Sequence, residues 1–486
     1  MEKSMKNNKN LVSYIHVAIM ITLMLCGSFL PTFGQITPLG MKVFGVFLGL
    51  LYGWVFVGIL WPSVLGFFTL SLTGVTNPLM AFVAGFSNPT TTMVIMSYVL
   101  AYSLGKIGVT EAVAYWAMSK KVFVNRPWLF VTAIVLVTCL LGMLGGMFAA
   151  IFLMWGVTKT IADKNGVEKG NLVVSMVYAL VLFGGFSGGQ MVPFYGGVIM
   201  YGGFLTAATG VVVEGLPFLV AGELYTMLSM LAVILIVKVV FKPDASKFYL
   251  TEEMRAEYAK YKLNKKQKVG LILLVFYFLA LLLPSVFHGG FWTMLSTWGM
   301  VGMTILYVVV FSIWKDEDGN DMCSMEECFS KGVAWGPILL FMVTIPLATA
   351  MESEEVGIMA TVSAACAPIF SDMSPMVFLI VVAIVMGLLT QVLHNLVVAA
   401  LFTPVLAPIY IAMGGNPITF FFVLYAVLCC SFGTPAASMQ AGLLYGHSDV
   451  STKNAYLLGW LYYIVTVIIV ITMIPLCDIL FAYYMA

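Results

Sequence analysis

PWLFVTAIVLVTCLLGMLGGMFAAIFLMWGVTKT (Pro127–Thr160) and PMVFLIVVAIVMGLLTQVLHNLVVAALFTPVLAPIYI (Pro375–Ile411) are the two stretches on which the fold turns. Each opens with a proline that suits the first turn of a helix. Each is interrupted near its middle, at Gly142–Gly146 and at Thr390–Asn395. One membrane crossing takes roughly 20 residues, so each stretch is too long for a single span and is expected to break at its interruption or join the next element there. A shift of 248 residues superimposes the two without a gap. The same shift places Pro89 on Pro337, Phe130 on Phe378, Leu153 on Leu401, Val157 on Val405, Gly185 on Gly433 and Met191 on Met439. Helix-breaking prolines and helix-loosening glycine thus keep their spacing, which points to an internal duplication. In a membrane chain a duplication suggests a secondary transporter, because two halves packed around a central site can move against each other.

Composition supports the membrane assignment independently. Of 486 residues 61% are hydrophobic and 9% charged, and mean hydropathy is +1.02. No soluble chain of that length has enough polar surface to cover such a core. Apolar runs at Leu11–Leu30, Val43–Trp61, Leu224–Val237, Val269–Val286, Met300–Trp314 and Ala455–Ile474 approach or reach spanning length. The first follows Lys3, Lys6 and Lys9 but is longer than a signal core and has no clear small-x-small cleavage site, so it reads as a retained helix.

Net charge is +1 and discriminates no partner, nucleic acid included; its distribution sets orientation. Lys242–Lys268 carries eight basic residues and separates the halves as an amphipathic linker. With the lysine-bearing N-terminus, it argues that both segments face the cytoplasm. Lys315–Lys331 is an acidic loop holding Cys323 and Cys328, with no histidine nearby to complete a metal site. Cys26, Cys139, Cys366, Cys429, Cys430 and Cys477 lie in apolar segments and are expected to act as small core residues. Gly85–Thr92 running to Leu104–Gly108, and Ala334–Pro337 running to Glu352–Glu355, have prolines at matched starts and polar ends. They are expected to form re-entrant hairpins.

A helix broken at membrane depth leaves unpaired N–H groups that carry the positive end of its dipole. Two such ends facing each other would bind an anion without a buried Lys or Arg, and carbonyls and hydroxyls at the breaks could ligate sodium. The runs Gly85–Pro89, Leu104–Val109, Arg126–Pro127, Trp335–Phe341, Leu389–Leu396 and Gly433–Pro435, in that order and spacing, resemble the divalent anion/sodium symporter family of dicarboxylate, citrate and sulfate carriers. The resemblance covers roughly residues 40 to 480. It implies an all-α membrane fold of about eleven transmembrane helices plus two re-entrant hairpins, in two inverted repeats. It also implies a homodimeric scaffold with an elevator-type transport domain and a small anionic substrate, a di- or tricarboxylate. Sodium is the expected coupling ion, with no other cofactor.

The family carries Ser-Asn-Thr at both hairpin tips. Here the first tip reads Gly146-Met147-Phe148 and the second His394-Asn395-Leu396, and the first half has Ser187 through Gln190 to Pro193 where the second has Thr434-Pro435. The resemblance therefore assigns substrate contact to Asn395, His394, Leu396, Thr434, Pro435, Gly146, Met147, Ser187 and Gln190. It assigns sodium sites near Gly145, Gly185, Asn395, Gly433 and Ser431. Histidine titrates near neutral pH, so His394 is also a candidate proton-coupling group, and a sodium-independent exchanger or proton-coupled carrier is the alternative. Gly185-Phe186-Ser187-Gly188-Gly189 also satisfies G-x-S-x-G, a remote pointer to an intramembrane serine protease; an enzyme is not expected. The domains read as 1–74, N-terminal scaffold helices; 75–241, first repeat; 242–268, linker; 269–330, scaffold helices and acidic loop; and 331–486, second repeat, in a multi-pass protein of the plasma membrane.

Overall fold

The computed structural model describes residues 2–482 other than 145, 146, 214, 286, 288, 316–318, 371, 372 and 436. Gly145 and Gly146 of the first tip, and Asp316, Glu317 and Asp318 of the acidic loop, therefore lie outside the described residues, as does the side chain of Cys366. The described fold is all-helical. Among the described residues eight helices are long and apolar enough to cross a membrane, and Pro78–Ser87 with Pro89–Ile107 forms a further pair bent by 59°. Asn88, which caps the second of these helices through Oδ1 and Thr90 N–H (2.9 Å), sits at the bend.

The two stretches that open the sequence analysis each fold as two helices: Pro127–Met143 with Met147–Lys164, and Pro375–Leu389 with Asn395–Ala412. Their starts, Pro127 and Pro375, Met147 and Asn395, are each 248 residues apart, as are the ends Lys164 and Ala412. Both pairs turn back on themselves. Asn125 N–H, before the first arm, bonds Leu250 O at 3.0 Å, while Asn165, after the second arm, bonds Tyr249 O through Nδ2 at 2.8 Å. At 1.5 Å rise per residue each arm is about 25 Å long, so its two ends can meet adjacent residues only if the chain returns. In the second pair the Phe378 and Tyr410 rings stack at 5.6 Å, again joining the start of one arm to the end of the other. The hairpins thus lie at 127–164 and 375–412. Of the two segments expected to be hairpins, the one around Pro89 lies in the bent pair, a shape that serves a broken span or a re-entrant loop equally, while the other is a continuous helix, Trp335–Glu352, followed by Ile358–Phe370. Pro337 misled because Pro at a helix's first turn marks a start equally well for a span and for a hairpin arm.

Leu172–Gln190 is the most enclosed of the spanning helices, 94% buried, and all twelve residues of Pro417–Leu428 are buried. In lipid, helices associate through close packing of small residues rather than through hydrophobic transfer, and glycine makes that possible here. A Cβ on Gly142 would lie 2.3 Å from Gly185 O, and one on Gly188 would lie 2.4 Å from Cys139 O, so backbone rests on backbone where the first hairpin meets Leu172–Gln190.

Ion pairs tie together the segments between the apolar helices. Lys164 pairs with Glu257 of the linker (3.0 Å), and buried Asp449 pairs with Lys169 (3.1 Å) and Lys159 (3.7 Å). Burial alone would push the Asp449 carboxyl up; the Lys169 and Lys159 ammoniums outweigh it and hold the carboxyl below the usual range. On the acidic loop Glu327 accepts from Lys106 (2.8 Å), Tyr102 (2.9 Å) and Lys331 (3.2 Å), which together pull its pKa down to about 2.

Candidate functional site

The second hairpin turns at Thr390–His394. Helix Asn395–Ala412 begins there because two side chains cap one amide: His394 Nδ1 (3.2 Å) and Asn395 Oδ1 (3.0 Å) both accept from Leu396 N–H. With Nδ1 accepting, the ring proton of His394 sits on Nε2. Asn395 and Leu396 are buried and His394 is partly buried.

Gln391, also buried, clamps this tip to the unwound segment that follows Pro417–Leu428. Its Nε2 donates to Gly387 O (2.8 Å) and Cys430 O (3.1 Å), and its Oε1 accepts from Gly433 N–H (2.7 Å). Thr434 Oγ1 donates to Gln391 O at 2.5 Å. The Thr434 hydroxyl proton is therefore committed within the protein, while Pro435 beside it is exposed. Two hydroxyls in the same neighbourhood of the chain, Thr390 Oγ1 and Ser431 Oγ, are fully buried with no hydrogen-bond partner. Ser438 instead caps the next helix through Ala441 N–H (3.0 Å).

The first half is built differently. Helix Leu172–Gln190 stops at a break, and helix Gly196–Thr209 resumes after it. Gln190 at the break accepts from Tyr425 Oη through both Oε1 (2.6 Å) and its main-chain carbonyl (3.0 Å), and its Nε2 lies 3.8 Å from Met147 Sδ. Met147 is thus held at the break, and Gly185 faces the hairpin through Ile151 and Thr138. Ser187 is fully buried inside the helix and bonds Tyr462 Oη at 2.6 Å. Its hydroxyl is taken by a phenol, and His394 caps its own helix, so the two do not form a nucleophile–base pair.

Residues expected at the site therefore fall into two clusters. His394, Asn395, Leu396, Gly433, Thr434 and Ser431 gather around Gln391. Met147, Gln190 and Gly185 gather around the first break, with Ser187 deeper in the same helix. The clusters adjoin through Tyr425 on Gln190 and through Phe432, whose ring lies 4.6 Å from Phe183 and 5.6 Å from Phe186. Gln391 and Tyr425 are the residues that sequence reasoning missed. Gln391 stands in the quoted Leu389–Leu396 motif as an amide in an apolar run, a signal available for it; Tyr425 had none, being one aromatic among many.

The family model described as the sodium:sulfate symporter transmembrane region matches residues 9–482. The chain belongs to the sodium:sulfate symporter family. It is an integral membrane protein and a secondary transporter of anions, not an enzyme, which also disposes of the protease reading of Ser187. Among solved structures, the chain is similar to the Alcanivorax borkumensis YdaH transporter, whose crystal structure is described as revealing an unusual topology. Identity is 12% and the TM-score 0.55, over 82% of this chain and 87% of that one. At that identity the likeness concerns the fold alone. No curated protein matches the sequence significantly.

Proposed function

We propose that this member of the sodium:sulfate symporter family carries a small dianion, a dicarboxylate for preference, in symport with sodium. The observation that carries this reading is the second tip. Gln391 holds the Gly433–Thr434 turn rigidly against it, and the buried hydroxyls of Thr390 and Ser431 there have no partner in the protein. Buried polar groups are otherwise almost always paired, and unpaired oxygens beside carbonyls suit a hard monovalent cation. Asn395, at the start of a helix whose dipole favours an anion, contacts the substrate; His394 and Leu396 shape the same tip, with Thr434 and Pro435 opposite. Met147, Gln190 and Gly185 lie on the first-half side; Gly145 and Gly146, which the resemblance assigns there, fall outside the described residues. One side-chain-built cation niche is left, in the second half.

In this reading residues 75–241 and 331–486 form the moving part, 1–74 and 269–330 the scaffold of a homodimer, and 242–268 a cytoplasmic linker. The moving part slides as an elevator in the plasma membrane, and the N-terminus is cytoplasmic. Uptake of labelled succinate and of labelled sulfate into proteoliposomes, with an inward sodium gradient, an inward proton gradient or internal unlabelled anion, tests it. Sodium-dependent uptake of either supports symport. Uptake driven only by internal anion refutes sodium coupling in favour of exchange.

A further inference from the structure

We propose that Glu223 is a proton-binding carboxylate of the transport cycle, set where helix Leu216–Ile236 passes both unwound breaks. Glu223 lies two turns inside that helix, which continues as an apolar span to Phe241. Its neighbours on the helix touch the two breaks directly. A Cβ on Gly222 would lie 2.7 Å from Met191 Cβ and 3.1 Å from Met191 O, at the first break. Tyr225 Oη bonds Ala426 O, Cys430 Sγ and Thr466 Oγ1, each at 3.3 Å, at the start of the second.

Within this crossing the Glu223 Oε1 atom is fully buried with no hydrogen-bond partner, although the residue as a whole keeps partial exposure. Thr226 and Ser229, on the next turns, are fully buried, and their hydroxyls have no partner either. Three unmet oxygens on successive turns of one helix are not a packing accident, since Thr and Ser in helices ordinarily bond the carbonyl four residues back. An ionisable side chain inside a span is functional by default.

The surroundings argue for a proton rather than an ion pair. From the first hairpin arm the titratable group beside Glu223 is the Cys139 thiol. Leu172–Gln190 presents glycines and Ser187 at this level, and its one titratable side chain, Tyr178, bonds Asp449 (3.3 Å). From the C-terminal helix, Tyr462 is bonded to Ser187 (2.6 Å), Tyr463 to Ile384 O (2.9 Å) and Asp478 accepts from Thr419 (2.7 Å); Cys477 is buried. Tyr425 of Pro417–Leu428 is bonded to Gln190. Lys238, on the continuation of the same helix, lies over the Trp128 ring. Among the described residues no basic side chain meets Glu223. A carboxylate oxygen buried without a cation or a donor beside it favours the protonated form of the group.

The proton site rests on this chain's geometry; its role in driving uptake rests on the transport reading, and the experiment separates the two. The full-length protein in lipid nanodiscs is titrated between roughly pH 5 and pH 9 by infrared difference spectroscopy of the protonated carboxyl stretch, with no transported anion present. The expected result is a titrating band in the parent that is lost in Glu223→Gln and shifted in frequency in Glu223→Asp. If Glu223→Gln does not fold, the shift in Glu223→Asp decides alone. A parent with no titrating buried carboxyl band, or variants whose band is unchanged, would overturn the proposal. With the site established, loss of the pH dependence of sodium-driven uptake of labelled succinate or sulfate in Glu223→Gln is the expected transport phenotype. An unaltered pH dependence would overturn the role in the cycle while leaving the bound proton standing.

Discussion

Replacing Gln391 by alanine tests the clamp that joins the second tip to the second break. The substitution deletes three hydrogen bonds at once and strands two buried groups, the Gly433 N–H on the unwound segment and the Gly387 carbonyl at the end of the hairpin arm, while the Cys430 carbonyl keeps the Phe432 N–H (2.9 Å). A buried group left without its partner costs about 1–3 kcal/mol, which brings the two to about 2–6 kcal/mol. Measured hydrogen-bond contributions inside membranes fall nearer 0.6–2 kcal/mol each, because stranded groups find other partners, so a loss of about 2–4 kcal/mol is expected. Thr434 is still able to reach the main-chain carbonyl of residue 391, and the turn should loosen rather than unfold. The measurement pairs thermal melting of the purified protein with the concentration dependence of uptake for whichever anion, sulfate or succinate, the parent accumulates. Melting should fall by several degrees. Half-saturation should rise on the order of tenfold, the equivalent of 1.4 kcal/mol lost from a pre-organised site. Gln391→Glu keeps the size and an acceptor for Gly433 but turns a carboxylate oxygen towards Cys430 O, and should be no better. A Gln391→Ala protein with parental melting and parental half-saturation would refute the clamp; reduced melting with parental half-saturation would leave it a structural tie with no part in the site.

Asn395→Ala should abolish uptake while the protein still purifies as a folded species, since His394 still caps Leu396 N–H; intact uptake would remove Asn395 from the site. Gly188→Ala should destabilise by about 1–3 kcal/mol, because its new methyl meets the Cys139 carbonyl at 2.4 Å and backbone cannot yield as a side chain does; an unchanged melting temperature would contradict the packing described. For Glu327 the folded pKa is depressed to about 2 by Lys106, Tyr102 and Lys331. Its stabilising contribution is therefore complete above the ordinary glutamate range, near 4.3, and is lost as pH falls from there through about 2. Hydrogen exchange of residues 325–332, compared between the parent and Glu327→Gln, should differ at neutral pH and converge towards the acid limit. Asp449, held low by Lys169 and Lys159, follows the same sign: Asp449→Asn should loosen the 446–451 loop at neutral pH, seen as faster exchange there, with the difference shrinking in acid.

Much of this architecture was legible in the order of the residues, because its cues are local. Apolar length marks helices able to span, Pro127 and Pro375 mark helix starts through a fixed φ, and the glycine-rich and polar interruptions mark where the two stretches break. The 248-residue offset then relates the halves, and the helices of both hairpins begin in register with it. Which stretches return to the side they came from was not legible, since a hairpin arm of 17 or 18 residues has the same length and composition as a short span. That was decided by contacts between residues far apart in the chain, Asn125 with Leu250 and Asn165 with Tyr249. The site divides in the same way. Asn395 and His394 stand out as polar residues at an interruption, whereas Thr434 and Ser187 look equally available in the sequence and in the fold have their hydroxyls bonded to Gln391 O and Tyr462. Glu223 borders the apolar run that begins at Leu224 and has no periodic cue of its own; two turns of helix precede it, and the breaks at Met191 and Cys430 lie beside that helix only once the chain is folded. The sequence by itself determined the helices, their repetition and the membrane that surrounds them, because these follow from hydrophobicity and backbone restriction within a few turns. Tertiary structure alone decided which polar groups are already paired and which are left without a partner, because a hydrogen-bond partner is a matter of where distant segments meet.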